Sequence, residues 1–149
     1  MNERNIARWI MVAERDLEEG NHSLSEENAV FEFHQSTEKY LKAYLALKGE
    51  EIRKTHDIAG LVLKCAVHDN AFHQFADFAP EMTQISTRYR NPGDSEEDDV
   101  ETGEMQKAGA FAQDVRNFVR SKIPQQIVRL SEQLRQSKPK RGLDTPLDK

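Results

Sequence analysis

The stretch Phe31-Glu-Phe-His-Gln-Ser-Thr-Glu-Lys-Tyr-Leu-Lys-Ala-Tyr-Leu-Ala-Leu-Lys-Gly49 decides how this chain folds. No proline or internal glycine interrupts it, and Leu, Ala, Lys, Glu and Gln supply strong helix formers. Val30, Phe33, Thr37, Leu41, Tyr44, Leu45 and Lys48 recur at spacings of three and four and make one broad face, which Tyr40 and Leu47 widen. A helix apolar over so wide an arc belongs at the centre of a domain, touched by other helices on more than one side. Gly49 is a natural stop, because glycine enters the left-handed cap conformation without penalty. His34 and Glu38 lie four apart and share a face, and Glu38–Lys42 repeats that spacing in the favourable charge order. Lys39 reads as an ordinary exposed helix lysine.

Working outward, Ile6, Trp9, Ile10, Ala13 and Leu17 predict a first helix over roughly 3–19, ended by Gly20 and Asn21. Ser25 is placed to cap the central helix, with Glu26 and Glu27 where the helix dipole favours acids. Beyond a polar connection, Ile58, Leu61, Val62 and Cys65 form the stripe of a third helix, capped by Thr55 or Asp57. Phe72, Phe75, Ala76 and Ala79 predict a short helix that Pro80 stops. From Glu81 to Gly103 the pattern fails, and a loop that long is expected to be functional or disordered. Ala108, Phe111, Ala112, Val115, Phe118 and Val119 give a long helix ended by Pro124. Ile127, Leu130 and Leu134 give a weaker last one. No β alternation and no internal repeat occurs. The fold class is all-α, an up-and-down bundle of four or five helices over 1–123, an additional C-terminal helix over 124–136 and a flexible basic tail over 137–149.

The 149 residues fit one domain around one core. The net charge is -5, yet seven acids and no base lie between Asp94 and Glu104, which leaves +2 elsewhere. The overall acidity therefore neither names nor excludes a nucleic-acid partner. Cys65 is the one cysteine, which rules out an intrachain disulfide, and its apolar surroundings favour a buried thiol over a nucleophile. No apolar run approaches a membrane span and the N-terminus has no secretory core, so a cytoplasmic protein without membrane attachment is expected.

The order of these features resembles the HEPN domains (higher eukaryotes and prokaryotes nucleotide-binding). A family helix carries a phrase like His-x-x-x-x-Glu-Lys-x-Leu-Lys-Ala. Here it reads His34-Gln-Ser-Thr-Glu38-Lys39-Tyr-Leu41-Lys42-Ala43, with the Glu-Lys one position nearer the histidine. Trp9, Ala13 and Asp16-Leu17 in the first helix, Thr55-His56-Asp57-Ile58 before the third, and Arg88-Tyr89 before the last bundle helix follow the family's order over residues 3–123. The resemblance implies a bundle of four or five helices, often paired as a dimer. Some members are metal-independent RNases whose signature is Arg, four to six residues, then His. Others lack it and work beside a small nucleotidyltransferase, in pairs like toxin and antitoxin, or bind nucleotides. This sequence has no histidine after His73, so Arg88 and Arg90 have no such partner; Arg15 to His22 matches the spacing where the family does not place it.

Arg88, Tyr89 and Arg90 are candidate contacts for a nucleotide or RNA, since arginine forks match phosphate and tyrosine stacks on a base. The alternative is that Tyr89 packs on the bundle while the arginines neutralise the acid run. His34, Glu38 and His56 are further ligand-binding candidates; the alternative is a buried histidine satisfied by its helix neighbour. His22, His68 and His73 show no ligand spacing, so neither a metal nor another cofactor is expected. The expected function is a non-catalytic binding module for a nucleotide, an RNA or a partner such as a minimal nucleotidyltransferase. Seven phenylalanines in so small a bundle point to a homodimer. The competing expectations are an RNase with a departed site of His34, Glu38, Arg88 and Arg90, or a dimeric adaptor without a ligand.

Overall fold

Ser25 begins the central helix by accepting the backbone N–H of Asn28 on its hydroxyl (3.3 Å), and α2 then runs over Glu26–Leu47. Its end is closed by two hydrogen bonds, from the N–H of Gly49 to the carbonyl of Ala46 and from the N–H of Glu50 to that of Leu45 (both 3.0 Å). This double closure needs a left-handed residue, and Gly49 supplies it at φ +80°. Seven consecutive residues of α2, Tyr40 to Ala46, are buried. Only a helix enclosed on all sides does that, and α2 touches α1 (Glu3–His22), α3 (Ile58–His68), α4 (Ala79–Arg90) and α5 (Glu104–Lys122). Lys48, expected on the apolar face, is exposed beyond the last turn.

These elements come from a computed structural model that describes residues 2–90 and 103–137. All its regular elements are helical, and a 3-10 helix (Asn70–Phe75) and α6 (Gln125–Ser137) complete the described set. None of these helices is long and apolar enough to cross a membrane. The α6 helix lies along α1, burying Ile127, Val128 and Leu134, with Gln126 donating to Glu3 (3.0 Å) and Arg135 paired with Glu18.

Helix α1 continues through Gly20 to His22 rather than ending there. Gly20 serves a close approach instead of a stop: a Cβ there would stand 2.6 Å from Cε1 of Phe33. On the other side of that ring, a Cβ at Gly109 of α5 would stand 3.1 Å from Cε2. Phe33 is thus gripped between two glycines, and their small size lets α1, α2 and α5 meet.

The region after Ala79 departs furthest from expectation. Pro80 opens α4 instead of stopping a helix, because its missing N–H falls in a first turn where none is needed. The segment Asn70–Phe75 before it is a 3-10 helix. Beyond Ala79, only Met82, Ile85 and Ser86 of α4 are buried in its described part, too few apolar positions to register as a stripe. The rest of the expected long loop, with most of its acid run, lies outside the described residues. So does the tail after Ser137.

Tyr44 and five of the phenylalanines form one internal cluster. Phe72 packs on Tyr44 (4.5 Å between centroids) and Phe118 (4.9 Å), while Phe111 meets Phe75 (5.9 Å) and Phe78 (5.1 Å). Phe31 is the phenylalanine left at the surface. The number of phenylalanines is therefore met within one chain and does not itself call for an interface.

Candidate functional site

Helix α2 presents His34, Glu38 and Lys42 at successive intervals of four, so all three lie on one side of it. All three are buried. Lys42 donates to Oε2 of Glu38 (3.0 Å), and its ammonium also sits over the ring of Trp9, 5.7 Å from the centroid. The other carboxylate oxygen, Oε1, accepts from Nδ1 of His56 (2.8 Å). His56 belongs to the connection between α2 and α3, and its side chain is 60% exposed. His34 secures the same residue through its backbone: Nε2 of His34 donates to the carbonyl of His56 (3.1 Å).

The start of α3 is tied down as well. Asp57 makes no side-chain cap, and neither expected capping residue bonds the first turn; Thr55 Oγ1 instead accepts from the N–H of Asp57 (3.2 Å). The N–H of Ile58 donates to Oγ1 of Thr83 (3.2 Å), so α4 caps α3 from outside. His56 is consequently held by Glu38 at its ring, by His34 at its carbonyl, and by Thr83 two residues further on. A solvent-facing imidazole fixed by buried groups on a rigid helix has the build of a binding or proton-handling position.

The structure brings together three sequence candidates, His34, Glu38 and His56. Arg88, Tyr89 and Arg90 form the last residues of α4, and their side chains lie outside the described part. Lys42 is the member the sequence reading left unassigned, although its spacing from Glu38 was visible.

A second polar layer joins α1 to α2 and α5. Glu14 accepts Oη of Tyr40 (2.5 Å), Nε of Arg116 (3.1 Å) and Nη2 of Arg116 (3.3 Å). Burial alone would raise the Glu14 carboxyl, but the Arg116 and Tyr40 hydrogen bonds outweigh it and hold it below its usual range. Burial, then the Glu14 charge, pushes the Tyr40 phenol well up. Burial likewise keeps the Cys65 thiol protonated. Nothing in the sequence links Glu14 to Arg116 across so many residues.

Lys39 is not the exposed lysine expected. Its Nζ lies 2.7 Å from Oδ2 of Asp16, which is fully buried. Asp16, Glu19 and Glu32 bring carboxylate oxygens within 4.8 Å of one another, the one group among the described residues with donors spaced to hold a metal ion. Lys39 already supplies a cation there. Burial and the neighbouring Asp16 push the Glu32 carboxyl up to about 7, against a smaller opposing effect of Lys39.

An all-α bundle whose central helix carries a buried lysine–glutamate pair ending on an exposed histidine defines the class of this protein. The model of the HEPN domain matches residues 6–122, most of the chain, and the chain belongs to the HEPN family. No curated protein and no solved structure matches it at a significant level.

Proposed function

We propose that this HEPN domain is a non-catalytic binding module for a phosphate-bearing ligand, a nucleotide or a segment of RNA. The observation that carries the reading is the fixed, exposed imidazole of His56, with Glu38 and His34 as its buried supports. Arg88, Tyr89 and Arg90 would supply phosphate and base contacts from α4, the helix that caps α3 beside His56. The cluster offers one histidine to solvent, and no second histidine follows in α5 to act as its acid partner. RNase chemistry with the family's usual pair therefore has no donor in its usual place.

One feature favours a protein partner as a second reading. Leu63 and Val67, four apart on α3, are 54% and 83% exposed. Apolar side chains paired on a helix face suit a docking protein such as a minimal nucleotidyltransferase, in a toxin–antitoxin-like pair. A homodimer is part of the proposal on the family resemblance, and light scattering at micromolar concentration checks it.

The test of the first reading is a salt titration of binding to labelled RNA. Affinity is expected to fall as salt rises, and Arg88→Ala or Arg90→Ala is expected to lower both affinity and salt slope, since each phosphate contact releases counterions. Binding indifferent to both arginines would remove them from the site.

A further inference from the structure

The hydrogen on the His56 ring is fixed by its partner. An ionised carboxylate only accepts, and the Glu38 carboxylate pairs with the Lys42 ammonium at 3.0 Å. Its Oε1, 2.8 Å from Nδ1 of His56, therefore requires the hydrogen on Nδ1. In the neutral ring Nε2 is left with a lone pair, on a side chain that stands mostly in solvent. Lys42 and Glu38 cancel in charge, so with that neutral ring the cluster presents an acceptor to a ligand and no net positive charge.

That electronic character selects among the groups of a nucleotide. Phosphate oxygens are acceptors and would meet Nε2 lone pair to lone pair. Sugar hydroxyls accept too, but unlike phosphate oxygens they also carry a hydrogen to donate. The phosphate needs cations, and the same connection provides them: Arg53 and Lys54 are both exposed, two and three residues before His56, while buried Ile52 anchors the segment on the core. Both stand in a mixed polar run with no motif to mark them.

We propose that the connection between α2 and α3 reads ribose, with Nε2 of His56 accepting the hydrogen of a ribose hydroxyl while Arg53 and Lys54 hold the adjoining phosphate. The inference rests on the nucleotide-binding reading and adds a chemical preference for ribonucleotides over deoxyribonucleotides, since the 2′-hydroxyl is what separates the two. No proton is transferred; the hydroxyl keeps its hydrogen and shares it with Nε2.

The experiment compares fluorescence anisotropy of the full chain with labelled single-stranded oligoadenylate and its deoxy counterpart of equal length. The ribose form is expected to bind about 2- to 10-fold tighter, the worth of one hydrogen bond. His56→Ala should bring that ratio to one, and so should His56→Phe, whose ring keeps a similar shape but offers no lone pair to a hydroxyl. Arg53→Ala and Lys54→Ala should weaken both oligonucleotides equally and reduce the salt dependence. His56 is exposed, and unchanged far-UV circular dichroism would establish that its variants fold. Equal affinities in the unaltered protein, or a ribose preference that survives His56→Ala, would overturn the inference and leave the binding module standing. Failure to bind either oligonucleotide would overturn both.

Discussion

The Glu38–Lys42 pair couples two buried charges on the central helix. At 3.0 Å the charges attract by about 5–6 kcal/mol at an effective dielectric near 20. Both groups are buried, Lys42 at 2% exposure, so desolvation consumes most of that gain. The pair should add little net stability, yet removing either member leaves the other charge stranded. Lys42→Met and Glu38→Leu are each expected to cost about 3–5 kcal/mol, a large share of the ~5–15 kcal/mol typical of a domain. The double variant removes both charges, substitutes apolar groups of similar size, and should lie within about 1 kcal/mol of the unaltered protein. Urea denaturation followed by far-UV circular dichroism measures all four species, and the cycle gives the coupling directly. Losses below about 1 kcal/mol in both single variants, or a double variant equal to the sum of the singles, would refute the buried pair. The double variant also removes the acceptor of the His56 ring, so a folded double variant that loses ligand affinity assigns the pair to function.

Gly20→Ala should destabilise by about 1–3 kcal/mol, because overpacking against Phe33 outweighs the ~1 kcal/mol or less that alanine gains in a helix; Phe33→Leu in the same chain should recover part of it by urea titration. Lys39→Ala should cost about 1.5–3 kcal/mol, as expected for a hydrogen bond to a buried charge, whereas an exposed lysine would cost almost nothing. Glu32 has a carboxyl raised from its ordinary 4.5 to about 7, so the folded state binds its proton more tightly than the unfolded one. Its contribution is full below pH 4.5 and is lost as pH rises to about 7. Across that window the melting temperature of the unaltered protein should decline relative to Glu32→Gln, and parallel curves would contradict the shift.

The central helix, its Ser25 cap and its Gly49 stop were legible because each depends on neighbours within one or two turns. The Glu38 spacings to His34 and Lys42 were legible for the same reason. What decides the site was not local. His56 meets Glu38 across 18 positions and Ile58 meets Thr83 across 25, and sequence periodicity carries no such information. Gly20 resembled a stop because the ring of Phe33, which demands a glycine there, comes from another helix. Pro80 misled for a related reason: the same residue ends one helix or starts the next, and the buried Met82 and Ile85 decide for the start. Lys39 looked exposed until α1 brought Asp16 beneath it.

The most direct measurement is purified protein incubated with labelled single-stranded and structured RNA, with complex and RNA length followed in the same sample. The expectation is salt-sensitive complexes that weaken in His56→Ala, with the RNA intact after prolonged incubation. RNA shortened by the protein, with the shortening abolished in His34→Ala or His56→Ala, would contradict it and establish an enzyme in place of a binding module.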